Sequence, residues 1–122
     1  MSGNPELASQ IRVVLVTVPD EDAGRTLARR IVQERLAACG NVIPGLTSVY
    51  RWDGEIQEDP EALVLLKTTV ERLETLRMRV EELHPYEVPE FLALPVDRGN
   101  DTYLRWVVGE VDGLRDSDDG QS

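Results

Sequence analysis

The sequence holds one cysteine, one histidine and one phenylalanine, and the first two scarcities each close a class of function. With Cys39 alone, no disulfide can form within the chain, and a reducing, cytoplasmic compartment is expected. With His84 alone and no motif around a serine, neither a catalytic triad nor a His-Glu zinc helix can be assembled. A nucleophile elbow, a P-loop and a dinucleotide fingerprint are missing too, so the expectation is a protein that is not an enzyme. Lys and Arg number 13 against 23 Asp and Glu, leaving a formal charge of −10. The few basic residues form no cluster, which argues against nucleic-acid or anionic-membrane partners, whose phosphates demand one. No apolar run approaches the ~20 residues of a membrane span, and the first ten residues lack the basic-then-apolar order of a secretory signal.

What is present suits one domain: 122 residues, of which 41% are hydrophobic, can bury a single core. The most informative stretch runs from Asn41 to Val70 and reads as one long β-hairpin centred on Asp53-Gly54, a dipeptide whose residues tolerate the positive φ of a type I′ turn. Val49, Tyr50 and Trp52 enter the turn and Ile56 leaves it. Pro60 has no amide hydrogen to give a ladder, so a bulge or an edge position is expected around it. The apolar run Ala62 to Leu66 then reads as buried on both faces. Strands in domains of this size have about five or six residues, so such a hairpin overshoots its sheet. An exposed tip carrying Tyr50 and Trp52 beside unpaired strand edges is expected to lie across a neighbouring subunit.

In chain order, residues 1–10 read as a flexible leader, residues 11–111 as a single domain, and residues 112–122 as a disordered acidic tail. Ile11 to Val18 is β-branched and fits a central strand covered on both sides. Asp20 caps a helix with Leu27, Ala28, Ile31, Val32 and Leu36 on one stripe, ending near Ala38. Gly24 shares that stripe and marks a close approach of helix to sheet. After the hairpin, Thr68 and Glu71 suggest a capping box opening a second helix, which Pro85 ends at or before His84. Val88 to Val96 forms a fourth, proline-broken strand, and Asn100 or Asp101 caps a short C-terminal helix. The order strand, helix, strand, strand, helix, strand predicts an α+β fold, the ferredoxin-like split βαβ sandwich. Both long helices fall on one sheet face. The other face is left bare and apolar, which independently predicts association.

The chain resembles the CutA divalent-cation tolerance family. The matching pieces include Thr17-Val18-Pro19-Asp20-Glu21, Glu34-Arg35-Leu36-Ala37-Ala38-Cys39, Ile43 to Tyr50, Trp52-Asp53-Gly54-Glu55, Leu66-Lys67-Thr68-Thr69, His84 to Glu90, and Asn100 with Tyr103-Leu104-Arg105-Trp106. The resemblance implies a homotrimer in which extended hairpins complete sheets between subunits, and a link to tolerance of copper and other divalent cations with weak metal binding. No cofactor is obligatory, with Cu2+ or another divalent cation as the candidate. In some members a cysteine of the first strand and a histidine pair are the proposed copper ligands. The matching positions here are Val16, Leu83 and His84.

Candidate site residues follow from these motifs. His84 reads as a helix C-terminal residue meeting the last carbonyls, as a pocket residue, or as a metal ligand, although a single imidazole makes a weak copper site. Tyr50, Trp52, Lys67, His84, Tyr86, Glu90 and Trp106 could gather as a pocket at a subunit boundary, where small-molecule sites are common. Lys67 reads as the partner of Glu90 or another carboxylate, or as an anion-binding group. Cys39 reads as a small buried residue, with a ligand or a reactive thiol as the alternative. Glu55, Glu58, Asp59 and Glu61 read as a solvated charge run. Three functions are consistent: a cation-tolerance trimer, a small-molecule signalling trimer of PII-like plan, and, last, an enzyme in the same cleft.

Overall fold

The computed structural model describes residues 5–112. Four strands form one antiparallel sheet in the order β2-β3-β1-β4, with β1 Ile11–Val18, β2 Cys39–Trp52, β3 Glu55–Thr69 and β4 Leu92–Pro95. Two helices, α2 (Glu21–Gln33) and α3 (Leu73–Leu83), connect them as the crossovers of a ferredoxin-like α+β fold. A short α1 (Pro5–Ala8) precedes the sheet and α4 (Asp101–Val111) closes the described chain. The tail expected over residues 112–122 lies, past Asp112, outside the described residues.

The main core fills the space between the sheet and α2 and α3. Val14, Val16 and Val18 of β1 and Ala62, Val64 and Leu66 of β3 point into it, meeting Leu27, Ala28, Ile31, Leu76 and Val80. Alternation puts Val13, Leu15 and Thr17 on the opposite face, where they are half-buried, as are Leu63 and Leu65. The expectation that β1 and the Ala62–Leu66 run are buried on both sides is therefore corrected for the single chain. The second face is also less bare than the sequence suggested. Leu7 and Ala8 of α1 and Leu104, Val107 and Val111 of α4 pack with Ile11 and Ala38, roofing one end of the sheet. Residues 5–8 are thus a packed helical turn rather than loose leader, because Leu7 and Ala8 have an apolar groove to enter.

Several boundaries moved for physical reasons. Helix α2 stops at Gln33, short of Ala38: Arg35 takes φ 60°, Leu36 N–H donates to Ile31 O and Arg35 N–H to Val32 O, the two-bond closure of a left-handed C-cap. Thr68 does not cap α3. It belongs to β3, and its hydroxyl donates at 2.7 Å to Leu36 O, a carbonyl freed by the end of α2. The chain reaches α3 through a 3-10 turn, Val70–Arg72, whose N-cap Thr69 makes no side-chain bond. The fourth strand is only Leu92–Pro95, as Pro89 takes no part in the sheet. Gly24 meets the sheet as expected, for an added Cβ would lie 2.9 Å from Val42 Cγ1.

The hairpin is the longest feature. Asp53 and Gly54 both hold positive φ, 55° and 81°, as a type I′ turn requires. Residues β1 does not reach begin below Ala62, which pairs with Val18, so Glu55 to Glu61 pair with β2 alone. Pro60 sits opposite Thr47 within this free-edged stretch, where its missing N–H costs nothing. Of the bulge or edge position expected around Pro60, the structure has the edge position, and the hairpin's register shift lies on the other arm, between Ile43 and Leu46, where Gly45 has φ 81°.

Candidate functional site

A cluster of acids and phenols forms where the overshooting part of the hairpin meets the connection from α3 to β4. From the turn, strand pairing sets Ser48 opposite Asp59 and Leu46 opposite Glu61. One carboxylate then gathers two hydroxyls: Ser48 Oγ donates to Glu61 Oε1 at 2.5 Å and Tyr86 Oη donates to Glu61 Oε2 at 2.6 Å. Beside it, Tyr50 Oη donates to Asp59 Oδ2 at 2.5 Å. Burial and then the bond to Glu61 push the Tyr86 phenol well above its usual range. The Asp59 bond raises the Tyr50 phenol as well. Burial, followed by the charge of Glu61, raises the Glu90 carboxyl. None of Asp59, Glu61 and Glu90 has an ion pair among the described residues. Negative charge is concentrated here without a basic partner among the described residues.

His84 stands next to this cluster but faces inward. It caps α3, with its N–H on Val80 O at 2.9 Å, and Pro85 stops the helix beyond it. Its ring is 7% exposed, with Nε2 2.7 Å from Thr17 O and Nδ1 accepting the Tyr86 N–H at 3.0 Å. These partners select the neutral tautomer with the proton on Nε2. The ring does not bond the last helix carbonyls, as one reading had it, but ties the α3 end to β1. Its face packs at 4.7 Å on Tyr86.

The remaining predicted residues do not join this group within one chain. Lys67 lies opposite Cys39 and Val13, six residues along β3 from Glu61, or about 20 Å at strand rise. Its ammonium donates to Asn41 Oδ1 and approaches Cys39 Sγ at 3.8 Å, so among the described residues of one chain it pairs with neither Glu90 nor another carboxylate. Cys39 is half-buried rather than sealed in the core. Trp106 stacks on Tyr103 at 5.6 Å on α4, and Trp52 is 65% exposed at the hairpin tip. Lys67, His84 and Glu90 therefore converge only if subunits contribute separately. Asp59 and Glu61, read in the sequence as solvated charge, turn out to organise the cluster. Counting pairs outward from Asp53-Gly54 gives Ser48 opposite Asp59, which leaves Tyr50 on its diagonal.

A resident copper ion fits these residues poorly. Both ring nitrogens of His84 are engaged, Val16 and Leu83 offer no donor, and among the described residues no three His, Cys, Asp or Glu side chains are placed to hold a metal. No helix among them is long and apolar enough to cross a membrane.

Similarity to known proteins places this arrangement. The divalent-cation tolerance protein CutA of Thermus thermophilus is 57% identical over 95 residues, 78% of this chain and 92% of that protein. A chloroplastic CutA protein of Arabidopsis thaliana is 52% identical over 95 residues, again 78% of this chain but 52% of its own length, so the chain spans about half of that relative. The crystal structure of CutA from Xylella fastidiosa superposes with a TM-score of 0.83 at 38% identity, covering 85% of this chain and all (100%) of that one. The pattern of CutA1 divalent ion tolerance proteins matches residues 12–110, and with that superposition in agreement, the chain belongs to the CutA1 divalent ion tolerance family.

Proposed function

We propose that the protein serves tolerance of divalent cations, copper among them, as a non-enzymatic cytoplasmic homotrimer that contacts cations weakly and by charge. The observation that carries this reading is the carboxylate cluster, unpaired among the described residues, that Asp59 and Glu61 of the free-edged hairpin segment form with Glu90 of the connection from α3 to β4. Carboxylates bonded to phenols but not to Lys or Arg gain most from an approaching cation. The absence of a preformed set of three ligands among the described residues favours loose, salt-sensitive association over chelation. The hairpin supplies the assembly: its tip carries exposed Val49, Trp52 and Ile56, side chains suited to a neighbouring subunit. A pocket completed by a neighbour's Lys67 would serve a PII-like ligand role, but no feature of the chain selects a ligand for it.

Native mass spectrometry during copper(II) titration tests the proposal. The expected ion is three chains, taking up copper in unsaturating steps that salt weakens and that the Asp59→Asn, Glu61→Gln double variant reduces severalfold. His84→Gln is expected to leave uptake unchanged. One stoichiometric copper per chain, lost in the His84 variant, would overturn the charge-based reading; a monomer would overturn the assembly.

A further inference from the structure

The chain contains one lysine, Lys67, among its 13 basic residues, and one cysteine, Cys39. The fold sets these two unique side chains directly opposite each other, on β3 and β2, with Nζ 3.8 Å from Sγ. Asn41, two residues along β2 on the same face, accepts from both: from the ammonium, and from the thiol at 3.8 Å. One amide oxygen thus holds both groups in place. Tyr103 of α4 closes the other side, its phenol raised first by burial and then by the Cys39 sulfur. The sulfur is half-buried, open enough for a small oxidant and without a second thiol in the chain to trap an oxidised form.

We propose that Cys39 and Lys67 form an oxidant-operated covalent pair, in which a hydroperoxide converts the Cys39 thiol to a sulfenic acid and the Lys67 amine captures it as a sulfenamide. In the first step sulfur attacks the peroxide, the O–O bond breaks, the attacked oxygen stays on sulfur and the other leaves with the thiol proton, as water from hydrogen peroxide or as an alcohol from an organic hydroperoxide. In the second, the Lys67 ammonium gives one proton to solvent, the amine Nζ so formed attacks sulfur and the S–O bond breaks, with hydroxide leaving as water on a second proton from the nitrogen. Sulfur is oxidised by two electrons and the peroxide is reduced by two. Sulfenic acids are known to condense with a nearby thiol or nitrogen. Here the nitrogen is preplaced, and a group held at contact distance behaves as though present at very high concentration. A free thiol reverses the link by attacking sulfur and releasing the amine. This reaction is independent of the cation role, since Lys67 lies six residues along β3 from Glu61.

The experiment treats the purified full chain with hydrogen peroxide, quenches with catalase and maps peptides before and after dithiothreitol. The expected product joins the Cys39 and Lys67 peptides within one chain, about two mass units below the sum of its parts, and dithiothreitol splits it. Lys67→Arg keeps the charge but not the amine, and should remove the link while Cys39 proceeds to sulfinic acid. Cys39→Ser should remove both. Exposed Met78 reports peroxide exposure. Three outcomes in the natural sequence overturn the proposal: sulfinic Cys39 with unlinked peptides, Cys39 untouched while Met78 is oxidised, or a disulfide between chains.

Discussion

Arg35 holds φ at 60°, a backbone conformation costing an L residue about 1–2 kcal/mol and usually taken by glycine where a helix ends this way. Its guanidinium explains the exception: Nη1 donates to Glu110 O at 3.1 Å and faces Glu110 Oε1 at 3.5 Å, joining the end of α2 to the end of α4. Arg72 Nε does the same for Val111 O at 2.9 Å. Removing the link and relieving the strain can be separated. Arg35→Ala loses the contact and keeps the strain, whereas Arg35→Gly loses both. The glycine variant should therefore be the more stable of the two by about 1 kcal/mol, reversing the usual helix ranking of Ala over Gly, as read by urea denaturation. The sequence showed none of this, since the apolar stripe carried the helix through Arg35 to about Ala38, where a left-handed residue has no place. It did show Asp53-Gly54 and Gly24, where one residue type nearly dictates the backbone. For Lys67 a partner was sought by charge, while within one chain strand register delivers Asn41 and Cys39.

Helices α2 and α3 are laced together at their exposed edges by Glu34. Its carboxylate accepts from Arg79 Nε and Nη2, both at 2.9 Å, and from Arg30 Nε at 2.7 Å. The Arg79 bonds first, with Arg30 adding, hold the carboxyl down from 4.5 to about 2. A depressed carboxylate pKa means the unfolded chain binds the proton more readily. The resulting stability is complete above the unfolded value and is lost as pH falls through the folded one. The melting temperature of the natural sequence should exceed that of Glu34→Gln at pH 7, and the difference should shrink between pH 4.5 and about 2. Salt should narrow it as well, because the pair is exposed. At this scale the sequence was informative wherever periodicity governed: four strands, two crossover helices and the C-terminal helix were readable from apolar spacing and Pro or Asp punctuation. It failed where a side chain served a distant element, as when Thr68 satisfied Leu36 O instead of capping α3.

The whole molecule has a finished end and an unfinished one. At the finished end α1 and α4 roof the second sheet face, which a strand-by-strand reading missed because Leu7, Leu104 and Val107 find their partners only in three dimensions. At the other, Leu92 and Leu94 of β4 are exposed, and the hairpin runs on past β1 with Val49, Trp52 and Ile56 in water. That imbalance was legible, since both the overshoot and the open face followed from lengths and alternation. Its energetic consequence is specific. Burying a side chain the size of Val or Ile is worth about 1.5–3 kcal/mol, and threefold symmetry would repeat each gain three times. Replacing Val49 and Ile56 with Asp should therefore split the proposed trimer to monomer in sedimentation velocity while circular dichroism stays nearly unchanged. The fold should survive because the core around Val64 and Ile31 lies beyond the substituted segment. A trimer that persisted would shift the assembly to the open sheet face around Leu92 and Leu94. It would leave the hairpin tip free, and Asp59 and Glu61 would then meet solvent cations without a neighbouring chain against them.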